Sequence, residues 1–364
     1  MSKYTDIQWC HSTTNPVMGC DGCELYPTIG KIRETIVTVL SIKRRMRDQL
    51  RSDIEALTAP GPQTIHRNLV QIANLIAEKA APDSGSAEIA DVAHQLQDAV
   101  KKLFICYAGT LHRFFNANGR AKGYAFPFEK PKEFPGRVGI AAHYPIPTES
   151  EISLKPWLDG LKRLIFISDM GDALSRSVPF EFLRDEVIVP VDSPAGRRHM
   201  WLWLTKRPAR MADFSEWLSA QGISWPEHLV PMTSITSSAT VNRVAQLKRV
   251  AAAYHALSVE PLWDDVSLPL HGIDWVIVGG QSGAQARPFH VEWAERIMHD
   301  CRASGSAFFL KQLGRRPFRN GVESKLNDEH GGDWAEWPRE LRVREFPLAW
   351  RVPSQPSVAI AAAC

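Results

Sequence analysis

Asp274-Trp275-Val276-Ile277-Val278-Gly279-Gly280-Gln281-Ser282-Gly283 reads as a buried strand running into a glycine turn. Its apolar run, from Trp275 to Val278, does not alternate with polar residues. That is the pattern of a strand covered on both faces, as parallel sheets require. A candidate helix over 291–304 follows, and then a second apolar run, Ala307-Phe308-Phe309-Leu310. Strand, helix and strand in succession predict a parallel pair joined by a crossover.

The same texture extends towards the N-terminus. Short apolar runs occur at 164–167, 199–204, 229–232 and 254–257, with candidate helices over 207–221 and 238–253 between them. Residues 13–18 supply a first strand. These units predict an α/β chain forming a full or partial TIM-like (β/α) barrel. An open doubly wound sheet is the competing arrangement, because periodicity does not separate closure from openness.

In parallel α/β folds the carboxyl ends of the strands line the active site. Here those ends read Ser168-Asp169-Met170-Gly171-Asp172, Thr205-Lys206-Arg207-Pro208, Thr233-Ser234-Ile235-Thr236, Ser258-Val259-Glu260-Pro261, Gly279-Gly280-Gln281 and Lys311-Gln312. Each has an ordinary explanation taken singly: Ser and Asp cap helices, paired glycines make turns, Lys and Arg are solvated. Gly279-Gly280 in particular does not fit a dinucleotide fingerprint. Together, however, the ends gather carboxylates (Asp169, Asp172, Glu260), cations (Lys206, Arg207, Arg287, Lys311) and neutral hydrogen-bonding groups on one rim. That mixture suits a zwitterionic, ribose-bearing ligand better than an apolar one.

Two cysteine segments stand apart from this pattern. Asn15-Pro16-Val17-Met18-Gly19-Cys20-Asp21-Gly22-Cys23 contains a Cys-x-x-Cys loop with flexible glycines. A third thiol lies in Phe104-Ile105-Cys106-Tyr107-Ala108-Gly109-Thr110-Leu111-His112. Three thiolates can hold three irons of a 4Fe–4S cluster and leave the fourth open. The rival is zinc, closed by Cys20, Cys23, Cys106 and His112. Cys10 reads as a buried apolar residue and Cys301 as core of a helix, while Cys364 lies in a terminal Pro/Ser/Ala-rich stretch. His112 itself falls in a helical stretch, where a packing role is at least as common.

Between Cys23 and Cys106 three amphipathic stretches follow one another without a strand, separated by Pro60-Gly61-Pro62 and Pro82-Asp83-Ser84-Gly85. They predict a helical bundle inserted into a loop. The basic cluster Lys43-Arg44-Arg45 on its first helix reads as a solvated face. The expected organisation is a discontinuous barrel over 1–27 and 104–320, a helical insertion over 28–103, a strap over 321–352 and a frayed tail over 353–364. Trp334, Trp337 and Trp350 suggest that the strap folds back on the barrel.

Composition narrows the classes. A formal charge of +3 over 364 residues makes no electrostatic case for nucleic acid by itself. The start of the chain lacks the pattern of a signal peptide, and no apolar run is long enough to span a bilayer. Six cysteines are too sparse for a disulfide scaffold at this length. A cytoplasmic protein with thiols free for metal is the expectation, with no membrane partner.

Taken in order, several motifs carry a resemblance. They are Thr14-Asn15-Pro16-Val17-Met18-Gly19-Cys20, Cys106-Tyr107-Ala108, Leu204-Thr205-Lys206-Arg207-Pro208, Ser258-Val259-Glu260-Pro261-Leu262, Asp274 to Gly280, Ser282-Gly283 with Arg287-Pro288, and Phe308-Phe309-Leu310-Lys311-Gln312. The ordered set resembles the phage- and bacteria-encoded three-cysteine-motif proteins, an uncharacterised family distantly similar to radical S-adenosylmethionine barrels. By that resemblance Cys20, Cys23 and Cys106 match the family's cysteines, split here by the insertion. The Cys-x3-Cys-x2-Cys loop of radical S-adenosylmethionine enzymes is absent, and only the spacing of its last pair survives. Gln281 stands where the family pattern has an acid, and Thr236 where a Glu is expected.

The resemblance implies a 4Fe–4S cluster held by Cys20, Cys23 and Cys106, with S-adenosylmethionine cleaved to a 5′-deoxyadenosyl radical. Ser168, Asp169, Glu260, Gly279, Gly280 and Gln281 are the expected cofactor contacts, by strand-end position. Lys206, Arg207, Arg287 and Lys311 are the expected substrate contacts. Nucleic acid or a nucleotide is the expected substrate class, and a reductant protein the expected partner. The alternatives are a zinc-bound, nucleic-acid-associated protein without radical chemistry, and an inactive barrel serving as a scaffold for a protein partner.

Overall fold

A computed structural model of the chain describes residues 2–26, 106–117, 127–283 and 286–352. The expected insertion over 28–103 and the tail over 353–364 lie outside the described residues. Two compact units are present: one of residues 1–16, 135–169 and 179–364, the other of 17–134 and 170–178.

The first unit is built on a parallel sheet of seven strands. They are β1 (Ser12–Thr14), β2 (Leu164–Ile167), β3 (Met200–Thr205), β4 (Leu229–Ser234), β5 (Ala256–Val259), β6 (Trp275–Gly279) and β7 (Ala307–Gln312). Each pairs in parallel with the next, so spatial order equals chain order. A doubly wound sheet must reverse its strand order at a switch point. No reversal occurs, and a singly wound half-barrel is the result.

The apolar runs are buried on both faces, as their lack of alternation predicts. Phe166, Leu202, Met232, Trp275, Ile277 and Phe309 point into one core, filled by Trp9, Cys10, Phe346 and Trp350. Trp9 lies 4.6 Å from the Phe166 ring and 6.1 Å from that of Trp275, so the interior is packed rather than open. Residues of opposite parity face the crossover helices, where Trp203 meets Phe214 of Pro208–Ala220 edge-on at 6.0 Å. Cys301 is buried in the helix Val291–Ser304.

Both sheet edges are covered, which removes the hazard of unpaired strand edges. Ser2 pairs with Thr13 of β1. On the other side Phe309 of β7 pairs with Arg344, and Leu161 ahead of β2 pairs with Arg351. The Arg344 guanidinium sits 3.9 Å from the Trp157 ring centre and 5.0 Å from that of Trp334, with Trp337 and Phe309 slightly farther off. Burial alone pushes its pKa down to about 10. Lys155 Nζ donates to the carbonyls of Thr5, Ile7 and Cys10, and so fastens the N-terminal segment to the same unit.

Two local expectations are corrected. The first strand, expected over 13–18, is interrupted at Asn15-Pro16, because proline cannot donate to a ladder. Val17–Met18 instead pairs antiparallel with Lys132–Glu133 in the second unit. The expected helix over 238–253 shrinks to a turn at Ser238–Thr240 and a short helix at Arg243–Leu247. Ser215 Oγ accepts the Ala251 N–H at 3.1 Å, so the chain leaves the helix early to enter β5.

Candidate functional site

The rim of the half-barrel carries an ion pair that joins β5 to β7 across β6. Glu260 follows the last residue of β5, and its Oε1 lies 2.9 Å from Nζ of Lys311 in β7. Gly279, at the end of β6, makes this crossing possible. A Cβ there would lie 2.5 Å from Glu260 Oε1 and 3.1 Å from its Cγ and Cδ. The glycine pair, a weak phosphate-loop signal in the sequence, is therefore a seat for a carboxylate. Both charges keep partial contact with solvent, 13% for Glu260 and 25% for Lys311. Ser258 Oγ reaches the second carboxylate oxygen only at 3.5 Å.

A second cluster forms where β1 and β2 end. Ser168 has φ of +77°, a left-handed backbone that costs a non-glycine residue about 1 kcal/mol or more. The residue is 5% exposed, and among the described residues its Oγ has no hydrogen-bond partner. Asp169 accepts a hydrogen bond from Asn15 Nδ2 and another from the Thr13 hydroxyl. Burial raises its pKa in spite of those bonds. Asp169 and Lys311 both act electrostatically on Cys10, whose thiol burial pushes up to about 12. Charges at the ends of β2 and β7 thus bear on one interior point.

The other expected contacts serve the fold more visibly. Gln281 Oε1 accepts from Trp263 Nε1 at 2.9 Å and from the Arg287 amide at 3.4 Å. The Arg287 guanidinium covers the Trp263 ring at 4.3 Å. Gly280 exchanges hydrogen bonds with Gln312, and a Cβ there would strike the Leu313 carbonyl at 2.2 Å. Lys206 Nζ lies 3.4 Å from Ser234 Oγ, whereas the Arg207 amide donates to Thr205 Oγ1 at the start of a helix. Thr236 is sealed in a turn by its bond to Thr240 Oγ1. No sequence pattern marks the Asn15 bond to Asp169, Gly279 as a seat for Glu260, or the aromatic cage of Arg344.

The second unit holds the three cysteines. Gly19 (φ +90°) and Gly22 (φ +99°) turn the loop around Cys20. The Cys20 amide donates to the Phe128 carbonyl at 2.8 Å, and Cys23 exchanges two 3.1 Å backbone bonds with Tyr26. Gly19 also bonds to the stretch that follows β2 in the chain: its amide donates to the Met170 carbonyl, and the Asp172 amide donates to its carbonyl. Asp172 belongs to this second unit. Cys106 immediately precedes the helix Tyr107–Ala117, and its Sγ accepts the Gly109 amide at 3.4 Å.

Phe128 ties the two cysteine segments together. Its ring lies 4.9 Å from Tyr26 and 5.5 Å from His112, which is buried. A Cβ on Gly109 would be 2.7 Å from the Tyr26 ring, so the helix that starts beside Cys106 rests on the residue paired with Cys23. All three thiols are free of disulfides. Segments separated by 82 residues (106 − 23 − 1) are brought together. Among the described residues, however, no three His, Cys, Asp or Glu side chains stand close enough to hold a metal ion.

Residues 104–338 match the family model described as Protein of unknown function (DUF5131). The chain belongs to that family. The matched span covers more than half of the 364 residues and takes in Cys106 and strands β2 to β7, but neither Cys20 nor Cys23. Comparison with curated proteins and comparison with solved structures each gave no match. Among the described residues no helix is long and apolar enough to cross a membrane.

Proposed function

We propose that this DUF5131 protein is a radical S-adenosylmethionine-like iron–sulfur enzyme of the cytoplasm, acting on nucleic acid or a nucleotide and supplied with electrons by a reductant protein. One observation carries the reading: two segments bearing three thiols outside any disulfide pack together around Phe128, in a loop turned by glycines. The donor set fits a 4Fe–4S cluster in kind, since free thiolates are its usual ligands. Cys20, Cys23 and Cys106 would hold the cluster. When bound, it supplies the electron that cleaves S-adenosylmethionine to a 5′-deoxyadenosyl radical.

The chain's own groups do the binding. Ser168 offers a buried hydroxyl without a partner among the described residues, and Asp169 a carboxyl already oriented by Asn15. Glu260, on the seat made by Gly279, and Lys311 supply opposite charges. Lys206, Arg207 and Arg287 favour an anionic substrate, in keeping with the resemblance to phage-encoded proteins.

Zinc is the second reading, favoured by His112, which is buried against the ring whose backbone carbonyl holds Cys20. Anaerobic purification separates the two. Brown protein with a broad absorption near roughly 400 nm that cleaves S-adenosylmethionine once reduced supports the enzyme. Colourless protein carrying one zinc refutes it.

A further inference from the structure

By strand-end position Glu260 is an expected cofactor contact and Lys311 an expected substrate contact. The geometry joins them in one ion pair, with Gly279 left bare so that the carboxylate fits. The pair is far from saturated. Lys311 can donate three hydrogen bonds, and among the described residues one is used, to Glu260 Oε1. Glu260 Oε2 has a single distant hydroxyl. A negative and a positive charge, held 2.9 Å apart on rigid strand ends and both reachable from solvent, form a preorganised dipole. Its complement is a group carrying an ammonium and a carboxylate on one carbon.

We propose that Glu260 and Lys311 form one receptor for an α-amino-acid head group, the ammonium bound by Glu260 and the carboxylate by Lys311. This rests on reading the rim as a ligand site, but not on the presence of a cluster. A free amino acid and an amino-acid-bearing nucleoside both carry this head group, and three probes tell the two sources apart.

The test is calorimetric titration of the full chain, both as purified without iron and after anaerobic reconstitution. The probes are S-adenosylhomocysteine, 5′-methylthioadenosine (which lacks the head group) and methionine. Wild-type protein is expected to bind S-adenosylhomocysteine about tenfold or more tightly than 5′-methylthioadenosine. Glu260→Gln, Lys311→Met and Gly279→Ala should each erase most of that preference. Methionine binding as tightly as S-adenosylhomocysteine, with the same sensitivity to the variants, supports the receptor with a free amino acid as its source.

The charge-reversed double variant, Glu260→Lys with Lys311→Glu, guards against mere misfolding. It keeps an ion pair and should keep the melting temperature, yet lose the preference, because the dipole points the wrong way. Equal binding of S-adenosylhomocysteine and 5′-methylthioadenosine by wild type overturns the proposal. So does a preference that survives in both single-charge variants, or no binding of any probe. A protein without iron–sulfur chemistry that still reads the head group would sink the enzymatic proposal and leave this one standing.

Discussion

Replacing Gly279 by alanine isolates the contact on which the rim is built. The new Cβ would meet Glu260 Oε1 at 2.5 Å, against an ordinary contact from 3.4 Å, so the carboxylate must retreat by about 0.9 Å. Crowding of this kind costs about 1–3 kcal/mol, eased here because the struck atom ends a flexible side chain. Loosening the Lys311 contact adds about 1 kcal/mol at most, since the pair is partly exposed. The alanine returns roughly 0.4–1 kcal/mol by restricting the unfolded chain, as φ at Gly279 is not left-handed. A net loss of about 1–2 kcal/mol is expected in urea unfolding. The decisive measurement is the same substitution made in a Glu260→Ala background. There it should be neutral or stabilising, a coupling of about 1–2 kcal/mol. An equal cost in both backgrounds refutes the reasoning.

Other expectations concern strain, protons and backbone contact. Ser168→Gly removes a left-handed serine and a buried hydroxyl without a partner, so denaturant unfolding should show a gain of about 1 kcal/mol. A loss would mean that the hydroxyl is satisfied inside the protein. Burial lowers the pKa of His11 to about 3 and of His199 to about 4, so both stay neutral in the fold. The unfolded chain therefore takes up protons first. The stability they contribute is complete above about pH 6.5 and fades as pH falls towards 4 and then 3. Between pH 7 and pH 5 each should cost about 2 kcal/mol in unfolding free energy, and a flat profile there contradicts the burial argument. Gly171→Ala would drive a Cβ to within 2.5 Å of the Gly19 carbonyl, where no side chain can yield. Amide exchange of residues 17–23 should accelerate selectively; unchanged protection would show that the cysteine loop is held by other contacts.

The seven strands were legible because parallel strands are apolar on both faces, and runs such as Leu164 to Ile167 have no other good reading. The helices Pro208–Ala220 and Val291–Ser304 were legible from their place between successive apolar runs. The helix over 238–253 failed for a reason that lies outside its own residues, the Ser215 hydroxyl on a neighbouring element. Strand order was legible only as one of two arrangements, the partial barrel that the sheet forms or a doubly wound sheet, since periodicity carries no information about neighbours. For the site, chain position found Glu260 and Lys311, but nothing local could show that they form one pair. That depends on a bare Cα on the neighbouring strand, 19 residues on (279 − 260), at Gly279. The left-handed turn at Ser168 was equally hidden, because serine gives no sign of it.

The enzymatic account rests on three thiols sharing one inorganic centre. Iron and acid-labile sulfide, counted after anaerobic reconstitution of wild type and of Cys20→Ala, Cys23→Ala and Cys106→Ala, test this most directly. About four irons and four sulfides per chain are expected in wild type. Each variant should fall to a small fraction of that, Cys106→Ala as far as the other two. Iron content indifferent to Cys106, or a single zinc in place of iron, would contradict the account.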